Sequence, residues 1–385
     1  MAQKKTNALY RQDLNMTQPF IPVCRPYLTG VEKKYVLDAI ETGWISSAGE
    51  YLNRFEKLFA EAVGCEHAVS CSNGTAAVHL ALLAANVGPG DRVVVPSFTM
   101  MASVFPIIQQ GAEPVFVDCD IETWTLDPKS LAKVQGPIKA IMPVHIYGHP
   151  CDMDPIVSWA KERNAIVIED AAEGHGALYK NRPVGSLGDI AAFSFYANKI
   201  LTCGEGGAIT SNNSKYAERA AYFRNLCFDK SPEKRFIHED IGYNYRLTNL
   251  QAALAVAQTE AMPKLVAMRR EMASKYLSRL GHLAKKISLP VERAWAKNVY
   301  WMFGILLNED QSVPTVVSEL KKRGVDTRRF FYPGHLQPVF GTKYADSNCP
   351  NSVALWNRGI YLPSSSDLTD AEADQVASAL TEVLG

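Results

Sequence analysis

Short apolar runs alternate with amphipathic stretches through the middle of the chain, between residues 68 and 211. The runs have few polar positions, and the stretches between them carry apolar residues at helical spacing. Near-continuous apolar strands separated by helices are typical of a mostly parallel sheet with helices on both faces. The runs predict strands at Ala68–Cys71, Arg92–Pro96, Glu113–Asp118, Ala140–Val144, Ala165–Glu169, Ile190–Ser194 and Ala208–Thr210. The helices predicted between them are Ser72–Ala85, Met101–Gln109, Asp154–Arg163 and Lys215–Arg224.

Helices are also predicted on either side of this region. Thr29 and Glu32 form a T-x-x-E capping box, in which each side chain satisfies the other's free backbone donor. Thr248 caps a later helix, which ends before Pro263. The helices predicted here are about Thr29–Thr42, Leu52–Val63, Thr248–Ala261 and a long amphipathic helix that ends near Leu280.

The pattern changes towards the C-terminus, where strands and helices no longer alternate regularly. This change predicts an α/β fold in two parts, with the hinge between residues 255 and 290. The C-terminal elements predicted are strands Val299–Leu307 and Val325–Phe330 and helices Val313–Arg323 and Ala371–Leu384. The predicted parts are an N-terminal arm at 1–19, a large domain at 20–262 with a mostly parallel seven-stranded sheet, and a small α+β domain at 263–385.

Charge and cysteine usage narrow the class of protein. Lysine plus arginine and aspartate plus glutamate number 40 each among 385 residues, so bulk charge argues against a nucleic-acid or anionic-membrane partner. The N-terminus has no apolar signal core and no run approaches the roughly 20 apolar residues of a membrane span, so we expect a cytoplasmic protein. The eight cysteines include no C-x-x-C pair and are interpreted as buried thiols.

The first segment that suggests chemistry is the turn Ser72–Thr75. It lies where a strand passes into a helix, whose free N–H groups and positive dipole end suit a phosphate, and Gly74 allows a close approach. Thr75 adds a hydroxyl. Ordinary N-capping is the better explanation of such a turn when it stands alone. The chain has no G-x-G-x-x-G and no Walker motif, which counts against nicotinamide and ATP chemistry.

Two further segments hold an acid and an amine. Asp170 follows a buried strand at an edge where ligands of parallel sheets bind, and it suits a protonated pyridine nitrogen, although a solvated acid or an N-cap is an equal alternative. Lys199 follows an apolar strand and precedes a glycine-rich turn, where it either enters a cleft or is a solvated surface lysine. A phosphate turn, a strand-end acid and a lysine with Ser194 nearby, in this order, are the parts that a pyridoxal phosphate (PLP) site requires.

The motifs SNGTAAVHLAL, VPSFTMMAS, PVHIYGH, IEDAAEGHGA, GDIAAFSFYANKILTCGEGGAI and GYNYRLTNLQAAL occur in this order. Over about residues 20–385 the chain therefore resembles the DegT/DnrJ/EryC1/StrS family of sugar-nucleotide aminotransferases, which have the PLP-dependent transferase type I fold. The opening RPYLTGVEKKYVLDAIETGWISSAGEYLNRFE is similar to the members that aminate GDP-4-keto-6-deoxymannose at C4 in lipopolysaccharide O-antigen biosynthesis.

The resemblance implies a role for each matching residue. Lys199 would join the cofactor aldehyde and later carry the proton, and Asp170 would pair with the pyridine nitrogen. Glu173 would lie beside the ring, near its phenolic oxygen. Asn244 would reach the cofactor phosphate of a neighbouring subunit, which implies a homodimer with shared sites. The residues implied for the phosphate of the same chain are Gly74, Thr75 and Ser194.

The resemblance also implies a reaction in two halves. L-glutamate would leave its amine on the cofactor and depart as 2-oxoglutarate, and the keto sugar would then take the amine. A dehydratase branch of the family has histidine in place of the lysine, so Lys199 argues against that chemistry. A dTDP- or UDP-linked sugar, or amination at C3, is the alternative within enzymes. A non-catalytic PLP-binding regulator is the alternative outside them.

Some positions depart from the family pattern or carry weaker hypotheses. Met100 stands where an aromatic residue often stacks on the cofactor, Gly174 stands where alanine is usual, and Gly334 replaces a larger apolar residue. His145, His149, Cys151 and Asp152 cluster in one loop but lack the second pair of a structural zinc site, so we predict no metal. The residues proposed for the nucleotide-sugar pocket are Trp44, Tyr196, Arg246, Tyr332 and His335.

Overall fold

A computed structural model describes residues 19–385, so the predicted arm lies outside the described residues except for its last residue. The main sheet has seven strands in the order β1-β9-β8-β5-β4-β2-β3, and β9 is antiparallel to both of its neighbours whereas the other pairs are parallel. These strands are β1 (His67–Cys71), β2 (Arg92–Pro96), β3 (Glu113–Val117), β4 (Ala140–Ile141), β5 (Ile166–Asp170), β8 (Ile190–Ser194) and β9 (Gly207–Ser211). The predicted seven-stranded, mostly parallel sheet is therefore confirmed.

Helices cover both faces of this sheet. Strand β8 shows why its sequence lacks polar positions, since Phe193 packs with one helical layer and Ala192 with the other. Phe193 meets Phe59 edge to face with ring centroids 4.9 Å apart, and burial of such a side chain contributes about 1.5–3 kcal/mol. The helices of this part are α1 (Val31–Glu41), α2 (Glu50–Val63), α3 (Gly74–Ala84), α4 (Phe105–Gln109), α5 (Met153–Glu162), α6 (Ser214–Arg224) and α7 (Asn249–Glu260).

The two predicted N-terminal caps have different outcomes. Thr248 is the N-cap of α7 as predicted, and it forms a capping box with Gln251, because the two residues exchange both hydrogen bonds. Helix α1 instead begins after Gly30, which has a left-handed φ of 99°, so Thr29 is not its N-cap. The Glu32 carboxylate still reaches back and accepts the N–H groups of Thr29 and Gly30, at 3.0 and 2.8 Å. The motif therefore satisfies free donors, but the helix starts two residues later than predicted.

The C-terminal part has an antiparallel sheet in the order β10-β12-β14-β13. The predicted strand at 299–307 begins only at Phe303, because Tyr300 has a left-handed φ of 49° that interrupts extended backbone. Strand β14 and helix α10 were not predicted from the sequence. The elements are strands β10 (Ile287–Ser288), β12 (Phe303–Leu307), β13 (Arg328–Arg329) and β14 (Gly359–Leu362), with helices α8 (Met262–Leu280), α9 (Val313–Lys322), α10 (Pro350–Arg358) and α11 (Asp370–Leu384).

Two smaller features complete the fold. A three-stranded antiparallel sheet joins β6 (Leu178–Tyr179), β7 (Arg182–Pro183) and β11 (Ala296–Lys297). Ile21 forms a parallel bridge with Val325 of the C-terminal part, so the start of the described chain lies against that part. The exact domain boundaries stay a prediction. Within residues 19–385, no helix combines the length and apolar character needed to cross a membrane.

Candidate active site

A cavity of about 670 Å³ lies at the carboxyl ends of β5 and β8, beside the N-terminus of α3. Carboxyl ends of parallel strands converge at one edge of a sheet, so segments distant in sequence meet there. The predicted site residues that line this cavity are Gly74, Thr75, Met100, Asp170, Glu173, Ser194, Tyr196 and Lys199.

Strand β5 ends in two carboxylates that point to opposite faces, as the two-residue period of a strand requires. Glu169 is fully buried and accepts hydrogen bonds from His145 Nε2 and from the N–H groups of residues 185, 187 and 188, at 2.7–2.9 Å. Glu169 therefore holds the loop at residues 185–188 in place. Asp170 lines the cavity, accepting from Ser103 Oγ at 2.6 Å and from the Ala172 N–H at 3.1 Å. The adjacent acids thus differ in role.

Ser103 was not predicted as a site residue, although it ends the motif VPSFTMMAS. Its hydroxyl lies 2.8 Å from Thr99 Oγ1, and both side chains are buried. The same hydroxyl donates the hydrogen bond to Asp170 Oδ2. The structure thus shows an acid that is held in one orientation by the loop after β2.

Lys199 is buried and lines the cavity. Its Nζ lies 3.6 Å from Glu173 Oε1 and 3.6 Å from the centroid of the Trp301 ring. Burial lowers the pKa of the Lys199 amine below its ordinary value, and the nearby carboxylates of Glu173 and Asp170 partly offset this effect. A lysine with a lowered pKa and access to a cavity is suited to attack an aldehyde.

Glu173 faces Lys199 across the cavity wall. Its Oε2 accepts the Tyr147 N–H at 2.7 Å, and Tyr147 has a left-handed φ of 51° that aims this N–H at the carboxylate. Burial raises the pKa of Glu173 to about 7, and the Lys199 ammonium opposes that rise. The carboxyl group can therefore hold or release a proton near neutral pH.

The other end of the cavity is built for an anion. Helix α3 is capped by Asn73, whose Oδ1 accepts the Ala76 N–H at 2.8 Å. Among the hydrogen bonds within residues 19–385, none uses the N–H of Gly74 or Thr75. A Cβ on Gly74 would lie 2.6 Å from the Ser194 Cβ, so only glycine lets this turn pack against Ser194.

These features fit pyridoxal phosphate. The free N–H groups at the start of α3 and the Ser194 hydroxyl suit its phosphate, Asp170 suits its pyridine nitrogen and Lys199 suits its aldehyde. The roles of the individual residues stay predictions.

Other predicted residues lie outside the cavity. Trp44 is 58% exposed, and Asn244 is exposed and accepts from Arg246 Nε at 3.0 Å. Tyr332 lines an adjoining apolar groove of about 440 Å³ that also includes Thr75 and Met100. His335 is buried behind the cavity wall, with Nδ1 2.6 Å from Ser97 Oγ.

The three departures from the family pattern have different settings. Met100 is 55% exposed and lines both the cavity and the groove. Gly334 packs so closely that a Cβ would lie 2.8 Å from Phe116 Cε1. A Cβ on Gly174 would lie 2.8 Å from Val184 Cγ1. The two glycines are thus explained by packing.

The cavity also contains residues that sequence reasoning missed. Trp301, Phe331 and Tyr361 come from the C-terminal part and form the wall opposite β5 and β8. No motif in the sequence marks them, since aromatic residues in and near strands usually belong to the core.

The residues weighed as a metal cluster have ordinary partners. His145 contacts Glu169 and the Cys151 N–H, and His149 Nδ1 lies 2.7 Å from the Pro150 carbonyl oxygen. Across the part of the chain that the structure describes, no three His, Cys, Asp or Glu side chains are grouped as metal ligands.

A mostly parallel sheet, a buried lysine and a strand-end acid at one cavity define a PLP-dependent enzyme of fold type I. The chain belongs to the DegT/DnrJ/EryC1/StrS aminotransferase family, whose model matches residues 26–381. It is a sugar aminotransferase with pyridoxal phosphate as cofactor.

Individual proteins match over nearly their whole length. The chain is 42% identical to the GDP-perosamine synthase of Caulobacter vibrioides, over 95% of this chain and 99% of the relative. It is 40% identical to the GDP-perosamine synthase of Escherichia coli O157:H7, over 94% and 98%. The PLP form of a sugar aminotransferase from Streptococcus pneumoniae, Spr1654, superimposes with a TM-score of 0.87 at 26% identity, over 95% and 98%.

Proposed function

We propose that this aminotransferase moves the amino group of L-glutamate to C4 of GDP-4-keto-6-deoxymannose and so forms GDP-perosamine. The observation that carries the proposal is the 42% identity with a GDP-perosamine synthase over 99% of that relative. The cavity supports it, since about 670 Å³ has room for a cofactor and a sugar together.

Bound pyridoxal phosphate supplies an electron sink that stabilises negative charge on the carbon next to the transferred nitrogen. Asp170, oriented by Ser103, would pair with the pyridine nitrogen and keep it protonated. Lys199 holds the cofactor and moves a proton at its Nζ to and from the reacting carbon. The Glu173 carboxylate lies 3.6 Å from that amine and forms an ion pair with its protonated form.

The test is incubation of the purified protein with L-glutamate and a panel of keto sugars linked to GDP, dTDP or UDP. Mass spectrometry of the products identifies the accepted nucleotide, and NMR identifies the aminated carbon. We expect amination at C4 of the GDP-linked sugar. Product from a dTDP- or UDP-linked sugar alone, or amination at C3, would replace this proposal. Cofactor binding without amine transfer from glutamate would instead indicate a regulator.

We also propose that the enzyme is a homodimer with shared sites. Several apolar side chains of α1 and the following loop are exposed, and Asn244 and Arg246 lie outside the cavity of their own chain. A second copy that covers this surface would bury the apolar side chains and bring Asn244 to its neighbour's cofactor phosphate. The exposed apolar residues are Val31, Leu37, Ile40, Trp44 and Ile45.

Mixed dimers test this arrangement. Lys199→Ala and Asn244→Ala chains, each of low activity alone, are unfolded together and refolded. If Asn244 serves the partner's site, a mixed dimer contains one intact site and activity returns. No recovery, despite mixed dimers in native mass spectrometry, would place Asn244 in the site of its own chain.

A further inference from the structure

The amine of Lys199 has a defined place in the cavity. Its Nζ lies 3.6 Å from the centroid of the Trp301 ring, and the Glu173 Oε1 atom lies 3.6 Å from the same nitrogen. An indole face attracts an ammonium group through its electron-rich centre, and a carboxylate attracts it directly. Both groups therefore favour the protonated amine, whereas burial favours the neutral amine.

Hydrogen bonds hold Trp301 in this position. Its Nε1 donates at 2.8 Å to the carbonyl oxygen of Asn198, which belongs to the peptide bond just before Lys199. Arg269, which is 1% exposed, donates from Nη1 to the Trp301 carbonyl oxygen at 3.1 Å and from Nη2 to the Asn198 carbonyl oxygen at 3.5 Å. The indole ring and the backbone of the lysine are thus fixed to each other.

A buried arginine joins these two segments. Arg269 has no carboxylate within 4.0 Å among the ion pairs of the described chain, so it does not serve as half of a salt bridge. A buried cation without an ion partner is costly, and Arg269 donates hydrogen bonds to the Trp301 carbonyl oxygen, to the carbonyl oxygen of the peptide before Lys199 and to Cys24 Sγ. These hydrogen bonds fix the Trp301 ring relative to Lys199, and such precise placement points to a functional role.

An aminotransferase cycle explains why the position of this amine matters, because the lysine amine is free for half of every cycle. We propose that the Trp301 ring face and the Glu173 carboxylate form the resting place of the Lys199 amine while it is not joined to the cofactor, with Trp301 as a positioning residue. The inference rests on Lys199 as the cofactor lysine and is independent of the identity of the sugar. It assigns to the C-terminal part of the chain a share in the chemistry of a lysine from the large sheet.

Other ionisable groups near the amine are Asp170, Cys24 and His175. The carboxylate of Asp170 and the thiol of Cys24 favour the ammonium form of Lys199. Burial lowers the pKa of His175 to about 3, so this ring stays neutral across the working range. Substitution of Trp301 or Glu173 is therefore not expected to make His175 charged. These two contacts are the ones to change.

The experiment measures the pKa of the Lys199 amine in the full chain loaded directly with pyridoxamine phosphate, which leaves the amine free. Competitive acetylation at a series of pH values, with mass spectrometry of the Lys199 peptide, gives this pKa. The variants are Trp301→Phe and Trp301→Leu. The first keeps a ring face, and the second removes it and leaves a void similar to that of the first. Trp295→Leu removes an indole that packs against Tyr179 and His149, away from Lys199, and is the matched control.

We expect the pKa of Lys199 to fall by about one unit in Trp301→Leu, by clearly less in Trp301→Phe, and not at all in Trp295→Leu. Glu173→Gln, which keeps the shape of the side chain, should lower the pKa by about one to two units and provides a second readout if Trp301→Leu does not fold. Equal pKa values for the Phe and Leu variants, or an unchanged value in Glu173→Gln, would overturn the inference.

This outcome is separate from that of the sugar panel. The loading step needs neither glutamate nor a sugar, so the resting place can be confirmed even if the substrate proposal fails. A pKa of Lys199 that is the same in the wild type, Trp301→Leu and Glu173→Gln would overturn the inference and leave the sugar assignment standing.

Discussion

The two walls of the active-site cavity differ in where their residues lie in the secondary structure and in the chain. The wall from the large sheet uses Gly74 at the start of α3, Asp170 at the end of β5 and Lys199 in the turn that follows β8. The opposite wall uses Trp301, Phe331 and Tyr361, which come from the C-terminal part. The first wall can be found from the sequence because chemistry and element boundaries coincide there. The second wall needs a tertiary structure to be seen.

This difference suggests that substitutions in the sheet wall change the chemistry, whereas substitutions in the C-terminal wall adjust it. The largest effect is expected for Lys199→Ala. Without the amine, both cofactor attachment and proton transfer are lost, so kcat should fall by about 10⁴-fold. Steady-state assays with saturating cofactor measure the loss. A fall of less than tenfold would mean that another group moves the proton.

The neighbouring carboxylates of β5 sharpen the comparison within one strand. Asp170→Asn should lower kcat by about 10²–10³-fold with little loss of stability, because a buried cation of the cofactor loses its partner. Glu169→Gln should instead lower the free energy of unfolding by about 2–4 kcal/mol, since one of its well-bonded oxygens is replaced by a donor. Kinetics and urea unfolding on both variants separate the two roles, and identical profiles would contradict them.

Glu173 predicts a pH dependence of stability in the cofactor-free chain. Burial raises its pKa to about 7 from 4.5, so the folded state holds the proton more tightly. Its stabilising contribution is complete below about pH 4.5 and is lost as the pH rises through about 7. Relative to Glu173→Gln, the wild type should lose about 3 kcal/mol between pH 4.5 and pH 8 in urea unfolding. Parallel pH profiles of the two proteins would exclude a buried, titrating carboxyl group.

Gly74→Ala tests the anion end of the sheet wall. The new Cβ would lie 2.6 Å from the Ser194 Cβ, so the turn must move away and the affinity for pyridoxal phosphate should fall about tenfold. Gly88→Ala is the control, since its Cβ would meet nothing within 4 Å. Cofactor titration by fluorescence measures both. Equal affinities in the two variants would show that the turn does not hold the phosphate.

The smallest effect is expected for Met100→Phe, at the border of the two walls. Met100 is 55% exposed and has space for an aromatic ring, which would stack on the cofactor better than a thioether. The affinity for pyridoxal phosphate should rise about threefold to tenfold. Equilibrium dialysis detects the change, and weaker binding would show that Met100 is not above the cofactor ring.

The sequence predicted the fold well where periodicity was strong, and less well elsewhere. All seven strands of the main sheet were found, because a sheet buried on both faces leaves continuous apolar runs. Helix α1 was displaced because the capping pattern does not reveal that Gly30 has a left-handed conformation. Strand β14 and helix α10 were missed, since their apolar positions show neither a clear strand period nor a clear helix period.

The candidate site divides in the same way. The turn at Gly74 and the acid and lysine of the sheet wall were predicted, whereas Ser103 and Trp301 act through contacts with residues 67 and 102 positions away and leave no local pattern. His335 was proposed for the pocket as part of the segment FFYPGHLQP, and the structure places this polar side chain against Ser97 in the interior. Polarity alone does not distinguish a buried, satisfied side chain from one that meets a ligand.

The most direct test of the account is borohydride reduction of the PLP-loaded protein, followed by mass mapping of the modified peptide. Reduction makes the bond between the lysine and the cofactor permanent. We predict loss of the visible absorbance and a single cofactor adduct on Lys199. An adduct on another lysine, or no reducible bond at all, would contradict the assignment of this cavity as the active site.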